Sequence, residues 1–249
     1  EAARARAGWR LDLPYGPHHR QVLDLKPAGP AARGTVLYFH AGYWQSRDKS
    51  QFHFLAPAFN AMGWSLALAN YPLCPEVGVP QIVESAALAL ARVAAMHEKG
   101  ELGGPLVLCG HSAGAHLAVE LALREPAAGA GRPRRILGVI GISGVYDLRP
   151  LCDTSLNERL RLDAQAAAAC SPVLRAMPGA APALFVAGGG ETLAFQDQNA
   201  DMARQWECLG NHARCVTVAG ADHFSILDEV TAPGGLLQTT LQAWSGPAP

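Results

Sequence analysis

The feature that most constrains what this chain can fold into is an apolar stretch that runs directly into a glycine-flanked serine. Residues 106–109 (LVLC) are typical of a buried strand, residues 110–114 are GHSAG, and Ala113–Arg124 is rich in Ala and Leu at helical spacing. A sharp turn from strand to helix strains the serine backbone and requires small neighbours, which the two glycines supply. The sequence therefore predicts that Ser112 is a nucleophile held above a sheet, the alternative being a glycine-rich turn with an incidental serine.

The rest of the chain alternates short apolar runs with helical stretches, which favours a mostly parallel α/β sheet with helices on both faces. Strands are expected at residues 22–25, 35–40, 65–70, 106–109, 136–142, 183–187 and 214–218, and helices at Val79–Glu98, Ala113–Arg124, 195–209 and 235–244. The 249 residues, 49% of them hydrophobic and 16% charged, suit a single domain that covers residues 1–249.

Residues 144–178 interrupt this alternation. The segment is longer than a plain crossover between strands and contains Pro150, Pro172 and Pro178. We interpret it as a small cap-like insertion over the carboxyl edge of the sheet and the active site, with a single helix between long loops as the alternative.

A serine nucleophile at neutral pH needs a base, usually a histidine that a carboxylate orients. Among the nine histidines, only His212 and His223 lie well downstream of Ser112. His212 follows a predicted helix in a turn and is expected to be exposed, whereas His223 follows the last predicted strand. We therefore expect His223 to be the base, in the order Ser, acid, His that is typical of the α/β-hydrolase fold.

The acid is expected at Glu191, because the strand at residues 183–187 ends in three glycines followed by this carboxylate. Its expected task is to hold the imidazole tautomer and stabilise the imidazolium without accepting the proton. Three other carboxylates are weaker candidates. Asp197 is expected on a helix surface, Asp222 can cap the helix after His223, and Asp147 follows an earlier strand.

The loop after the strand at residues 35–40 carries the sequence HAGYW, residues 40–44. In α/β-hydrolases the corresponding loop donates backbone N–H groups to the oxyanion that develops during acyl transfer. The expected oxyanion-hole donors are the amides of Gly42 and Tyr43, together with that of Ala113 from the nucleophile turn. His40 is expected to tie the loop together by hydrogen bonds rather than to act as a base.

With these motifs the chain resembles the arylformamidases (kynurenine formamidases) and the related esterase and lipase hydrolases. HAGYW is similar to the HGG-x-W loop of that family, and GHSAGAHLA at residues 110–118 to its nucleophile region. Further similar segments are NYPLCP at residues 70–75, ISGVYDL at 142–148, TSLN at 154–157, SP at 171–172 and DHFSIL at 222–227. The resemblance covers about residues 9–244. It departs at Ala41, where the family usually has glycine, and at Glu191, where aspartate is common.

The resemblance implies hydrolysis of N-formyl-L-kynurenine to L-kynurenine and formate through a formyl-enzyme intermediate. A carboxylesterase acting on small acyl or aryl esters is the alternative, while a non-enzymatic binding module is disfavoured because no member of the triad is missing. The aromatic half of the substrate is expected to bind against Trp44 and Phe224, with Tyr43 as a third candidate, although each ring is equally suited to core packing. No metal or organic cofactor is expected.

Charge and cysteine usage narrow the remaining classes of function. The net charge is −1 and the basic cluster Arg132, Arg134 and Arg135 is short, so we expect a solvated loop there and no nucleic-acid partner. The six cysteines form no C-x-x-C pair and no zinc spacing, which suits a reducing compartment and favours the cytoplasm. No apolar run is long enough to suggest a membrane partner. The expected partner is a small molecule, and the sequence admits a homodimer.

Overall fold

A computed structural model describes residues 8–124 and 136–246, and a single eight-stranded sheet forms the centre of these residues. The strands are β1 (Arg10–Pro14), β2 (Val22–Lys26), β3 (Gly34–Phe39), β4 (Trp64–Ala69), β5 (Leu106–His111), β6 (Ile136–Ile142), β7 (Ala183–Gly188) and β8 (Ala213–Val218). Their spatial order is β1-β2-β4-β3-β5-β6-β7-β8. The pairs β1/β2 and β2/β4 are antiparallel and the other pairs are parallel, so the predicted α/β-hydrolase type of sheet is confirmed.

Helices cover both faces of the sheet and bury two separate apolar clusters. The α-helices are α1 (Ala56–Ala61), α2 (Val79–Glu98), α3 (Ala113–Arg124), α4 (Asn157–Leu160), α5 (Ala164–Ala169), α6 (Leu193–Cys208), α7 (Ile226–Thr231) and α8 (Leu236–Ser245). Helices α2, α3 and α6 pack on one face and α1, α7 and α8 on the other. Burial of β3, β5, β6 and β7 between these layers explains their unbroken apolar sequences.

Two parts of the N-terminal region were not expected from the sequence. Strand β1 alternates exposed and half-buried residues but has only five of them. Its register with β2 shifts between Arg10 and Leu13, and Asp12 within it has a φ of 51°. The other part is a 3₁₀ segment at Lys49–Leu55 that continues into α1, where Pro57 stands in the first turn. Proline is tolerated at that position because its missing N–H would have no helical partner.

The segment at residues 144–178 contains four short helical turns rather than one helix with long loops. They are the 3₁₀ turns Arg149–Asp153 and Pro172–Leu174 and the helices α4 and α5. Residues of this segment reach the loop after β3, since Gln45 Nε2 donates a hydrogen bond of 3.0 Å to the carbonyl of Leu156. The segment therefore lies beside the carboxyl ends of the central strands.

Helix α2 has the length and apolar composition of a membrane span, but 56% of its most apolar window is buried inside the protein, as in the core helix of a globular domain. The solvated loop expected at Arg132, Arg134 and Arg135 lies outside the described residues. The sequence had also indicated an exposed His212, and the structure places this histidine as expected.

Candidate active site

Ser112 stands between β5 and α3 in a strained left-handed conformation, with a φ of 57°. Its amide donates a hydrogen bond of 2.8 Å to the carbonyl of Ile142 at the end of β6, which fixes the turn to the neighbouring strand. A Cβ on Gly114 would lie 2.0 Å from the carbonyl oxygen of Phe39, and one on Gly110 would lie 2.1 Å from that of Gly114. The two glycines are therefore sterically required, and the tight turn that they permit lifts the Ser112 hydroxyl above the sheet.

The loop after β3 lies next to this turn and contains several left-handed residues. Gly42 has a φ of 127°, Tyr43 of 49° and Trp44 of 58°. The turn and loop hydrogen bonds of the described residues include none donated by the amides of Gly42, Tyr43 or Ala113. The first N–H groups of a helix have no partner within it, so Ala113, the first residue of α3, has a free donor near Ser112.

His40 holds the base of this loop and is neutral. Its ring Nδ1 donates a hydrogen bond of 2.7 Å to the carbonyl of Ala41, and the ring stacks on Tyr71 with centroids 4.3 Å apart. The hydroxyl of Tyr71 in turn donates to the carbonyl of His40. Burial lowers the pKa of His40 to about 4, which agrees with the expectation that this histidine is structural.

His223 follows β8 and faces Glu191, which follows β7. The Nδ1 atom of His223 lies 2.9 Å from Oε2 of Glu191, and the ring of Phe195 packs against the imidazole at 4.4 Å between centroids. Because an ionised carboxylate only accepts, this contact places the proton on Nδ1 and leaves Nε2 as the acceptor nitrogen. His223 and Ser112 line the same pocket.

The second oxygen of Glu191 is held independently of His223. Oε1 accepts a hydrogen bond of 2.5 Å from the hydroxyl of Ser143 and one of 2.7 Å from the amide of Gly188. Burial by itself raises the pKa of the Glu191 carboxyl, but the hydrogen bonds that it accepts, the one from His223 foremost, offset this and hold the pKa below its ordinary value. Glu191 is therefore an anion at neutral pH with one oxygen directed at the histidine.

The three rival carboxylates are engaged elsewhere or exposed. Asp147 forms a salt bridge of 2.6 Å with Arg149, and Asp222 accepts the amides of Phe224 and Ser225 at 2.8 Å each. Asp197 is exposed on α6. Among the described carboxylates, Glu191 is the one that contacts His223.

The pocket that contains Ser112 and His223 has a volume of about 330 Å³. It is lined by Ala41, Gly42, Tyr43, Gln45, Ser46, Arg47, Ser112, Leu156, Arg159, His223 and Phe224. Phe224 is 59% exposed at its rim, so this ring is not core. Trp44 corrects our expectation of a substrate contact: it is fully buried and packs edge-on against His116 at 5.0 Å. The loop's left-handed turn at this residue directs the indole into the core.

Six residues of the site had been given no role by the sequence-based expectations, namely Ser143, Gln45, Ser46, Arg47, Leu156 and Arg159. Ser143 occupies the carboxyl end of β6, a position that could have identified it, because neighbouring parallel strands deliver side chains to the same edge. The other five lie in irregular segments or, for Arg159, in the four-residue helix α4, where no periodicity signals which side chains face the pocket.

One group of side chains in the described residues has the spacing of a metal site, namely His18, His19 and Glu76, whose ligand atoms lie within 4.8 Å of one another. None of the three lines this pocket. His18 Nε2 is 2.9 Å from Oε1 of Glu76, and its Nδ1 accepts the amide of Arg20 at 3.1 Å. With Nδ1 accepting, the ring proton resides on Nε2, so this histidine is already satisfied without an ion.

The sheet order, the strained serine turn and the Glu191–His223 pair define a protein of the α/β-hydrolase class. Comparison with known families agrees: the family model described as the alpha/beta hydrolase fold matches residues 36–227, and the chain belongs to this family.

The chain is similar to proteins named for three kinds of hydrolysis. It is 28% identical over 248 residues to the kynurenine formamidase of Danio rerio, covering 97% of this chain and 83% of the relative. A solved structure from Silicibacter sp. TM1040, provisionally described as a thioesterase, is 33% identical with a TM-score of 0.83, covering 96% of this chain and 87% of that one. The Thermogutta terrifontis esterase 2 shares the fold at 24% identity and a TM-score of 0.71, covering 98% and 94%. The protein is an arylformamidase-like hydrolase of this family.

Proposed function

We propose that the protein is a serine hydrolase and an arylformamidase, which hydrolyses N-formyl-L-kynurenine to L-kynurenine and formate. The observation that carries the proposal is that Ser112 and His223 line the same pocket. Nδ1 of this histidine is hydrogen-bonded to Oε2 of Glu191 at 2.9 Å. The similarity to kynurenine formamidases supports the choice of the formyl group.

In the first half of the reaction, Ser112 Oγ attacks the formyl carbonyl while Nε2 of His223 accepts the hydroxyl proton. The developing oxyanion accepts hydrogen bonds from the amides of Gly42, Tyr43 and Ala113. Removing one such donor in other acyl-transfer enzymes costs about 10²–10³ in kcat. The imidazolium then protonates the aniline nitrogen, the C–N bond breaks, and Ser112 carries the formyl group as an ester.

In the second half, water replaces the amine. His223 takes a proton from the water, the hydroxide attacks the formyl ester, and the proton returns to Ser112 Oγ as formic acid leaves and ionises to formate. Glu191 remains ionised throughout and stabilises the imidazolium at both stages. Each step uses groups of the chain and water, and the partner that the site requires is the small-molecule substrate.

A carboxylesterase acting on small acyl or aryl esters is the second candidate, and the esterase fold relatives favour it. The same serine, histidine and oxyanion donors cleave esters, and an aryl ester has a better leaving group than a formanilide. The two functions differ in the acyl group that the pocket accepts beside the oxyanion loop.

The test is a comparison of kcat/KM for N-formyl-L-kynurenine with that for p-nitrophenyl acetate and p-nitrophenyl butyrate. We expect turnover of the formamide and a steep fall from acetate to butyrate. A preference for butyrate with no formamide turnover would overturn the formamidase in favour of the esterase. Ser112→Ala is the inactive control, and a fluorophosphonate probe is expected to label Ser112; failure to label it would contradict the serine mechanism.

A further inference from the structure

We propose that Arg47 and Arg159 form a carboxylate-binding subsite at the mouth of the pocket, which selects substrates with an anionic group on the leaving half. The inference deepens the proposed function, because it takes this pocket as the site of acyl transfer. It assigns a chemical class to the part of the substrate that the triad does not contact.

The two arginines reach the pocket from separate elements. Arg47 belongs to the loop after β3, where its φ of 77° is left-handed, and Arg159 belongs to α4 in the segment at residues 144–178. Both line the cavity that contains Ser112 and His223. Two arginines from distant parts of the sequence therefore line one cavity.

Neither guanidinium is neutralised by the described part of the chain. The described residues that line the pocket include two arginines and no carboxylate, and neither arginine takes part in an ion pair among the residues described. One Nη2 of Arg159 donates to the carbonyl of Cys74 at 3.2 Å, which leaves most of its donors free. The guanidinium of Arg47 lies 5.7 Å above the ring of Phe224.

No carboxylate of the described residues forms an ion pair with either arginine. Asp48, next to Arg47, accepts the amide of Ser50 at 3.0 Å and Nδ2 of Asn70 at 2.6 Å, and lies 3.6 Å from Arg20. Glu191 is turned toward His223 by the bonds described above. Glu158, next to Arg159, is exposed. The cationic mouth is thus left for an anion from solution.

The positions of the rings indicate which half of the substrate carries the anion. His223 protonates the leaving group, so the leaving half of the substrate lies beside the imidazole. The ring of Phe224 packs edge-on against this imidazole, with the ring centroids 5.4 Å apart. Arg47 lies over the same Phe224 ring. An aryl leaving group that packs on Phe224 therefore brings its ring substituent to the guanidinium. A planar guanidinium matches a carboxylate with two parallel hydrogen bonds, which a neutral ester cannot form.

The subsite is tested with matched anionic and neutral substrates. The first pair is 3-acetoxybenzoate and its methyl ester, and the second is N-formylanthranilate and its methyl ester. For the wild-type protein we expect a higher kcat/KM for the anionic member than for the neutral member of whichever pair is turned over. We expect Arg47→Gln and Arg159→Gln each to lower that anion-to-neutral ratio by about 10-fold, chiefly through KM. Lysine at either position should restore part of the ratio.

Two controls separate a subsite from a general effect of surface charge. Arg204→Gln removes an exposed arginine that is paired with Asp201 at 2.8 Å on α6, and it should leave the ratio unchanged. Sodium chloride at 0.5 M should lower the wild-type ratio, since screening weakens exposed ion pairs. A ratio that is the same in the wild type and in the Arg47→Gln/Arg159→Gln double variant would overturn the subsite.

Binding separates the failure of this inference from the failure of the proposed function. Calorimetric titration of the Ser112→Ala variant with 3-acetoxybenzoate requires no turnover. We expect the double variant Ser112→Ala/Arg159→Gln to bind this anion about 10-fold more weakly. If the wild type turns over no formamide or ester yet the anion binds in an arginine-dependent way, the proposed function fails and the subsite stands. Turnover of substrates with arginine-independent binding overturns the subsite alone.

Discussion

The two oxygens of the Glu191 carboxylate have different partners, and this difference predicts the effect of losing the charge. Oε2 faces Nδ1 of His223 at 2.9 Å, while Ser143 and Gly188 hold Oε1. Glu191→Gln keeps the size of the side chain but removes the charge that, in the proposed mechanism, stabilises the imidazolium and fixes the tautomer of His223. We expect kcat to fall about 10³- to 10⁴-fold with the substrate of the assay above, as for the comparable change in other triads.

Asp147→Asn is the matched control for this substitution, because Asp147 also follows a strand but pairs with Arg149. It should retain kcat within about twofold. Near-normal activity of Glu191→Gln, or a comparable loss in Asp147→Asn, would contradict the role of Glu191. Thermal unfolding of both variants establishes that they are folded at the assay temperature.

For single residues, the sequence indicated the candidate site residues that follow a strand. It missed pocket residues that lie within loops. Ser112, Glu191 and His223 each follow a strand that the apolar pattern reveals, so their proximity could be inferred from parallel strand order. The direction of a loop side chain depends on local φ values that no pattern of letters encodes. For this reason Trp44 was expected in the pocket but is buried, and Arg47 in the same loop was not anticipated.

At the scale of elements, the junction of β5 and α3 depends on the absence of two side chains. A Cβ on Gly114 would lie 2.0 Å from the carbonyl oxygen of Phe39, which belongs to the adjacent strand β3 and cannot move freely. We expect Gly114→Ala to lower the free energy of unfolding by about 1–3 kcal/mol, as overpacking does elsewhere, and to lower kcat/KM at least 10-fold by displacing Ser112.

Gly103→Ala is the control for this change, because the nearest atom to its Cβ would be the carbonyl oxygen of Ala32 at 3.9 Å. It should change the free energy of unfolding by less than about 0.5 kcal/mol and kcat/KM by less than about twofold. Urea unfolding and the esterase assay measure the two effects on the same samples. If Gly114→Ala behaves like Gly103→Ala, the turn is less constrained than its geometry indicates.

Elements were predictable where burial on both faces imposes a long apolar run, and unpredictable where it does not. The bounds of α2 and α3 match the sequence-based expectation because each presents an apolar face over at least twelve residues. Strand β1 and the turns within residues 144–178 are each seven residues or fewer. Their formation depends on contacts with the rest of the fold, which a local pattern does not contain.

At the scale of the whole molecule, buried histidines link stability to pH. Burial lowers the pKa of His40 to about 4 and that of His111, which packs against the ring of His223 at 4.7 Å, to about 3. An unfolded histidine has a pKa of about 6.5. Between these values the unfolded chain binds protons that the folded chain does not, so the free energy of unfolding must fall as the pH falls below about 6.5.

Each of these two histidines contributes about 1.4 kcal/mol per pH unit once the pH is well below 6.5, or about 2.7 kcal/mol per unit together. Burial lowers the pKa of His116 as well, which acts in the same direction. The lowered pKa of Glu191 contributes only at still lower pH, where carboxylates protonate, so measurements at pH 5 and above isolate the histidines.

The corresponding experiment is urea unfolding at pH 7.5, 6.5, 5.5 and 5.0, followed by tryptophan fluorescence. His111→Gln removes one buried titrating group, and we expect it to lower the slope of unfolding free energy against pH by about 1.4 kcal/mol per unit. The slopes of unfolding free energy against pH are compared, rather than the free energies themselves. The reason is that a new amide in the core changes the free energy of unfolding equally at every pH, because an amide does not titrate. An unchanged slope in His111→Gln would therefore mean that His111 takes up its proton in the folded protein.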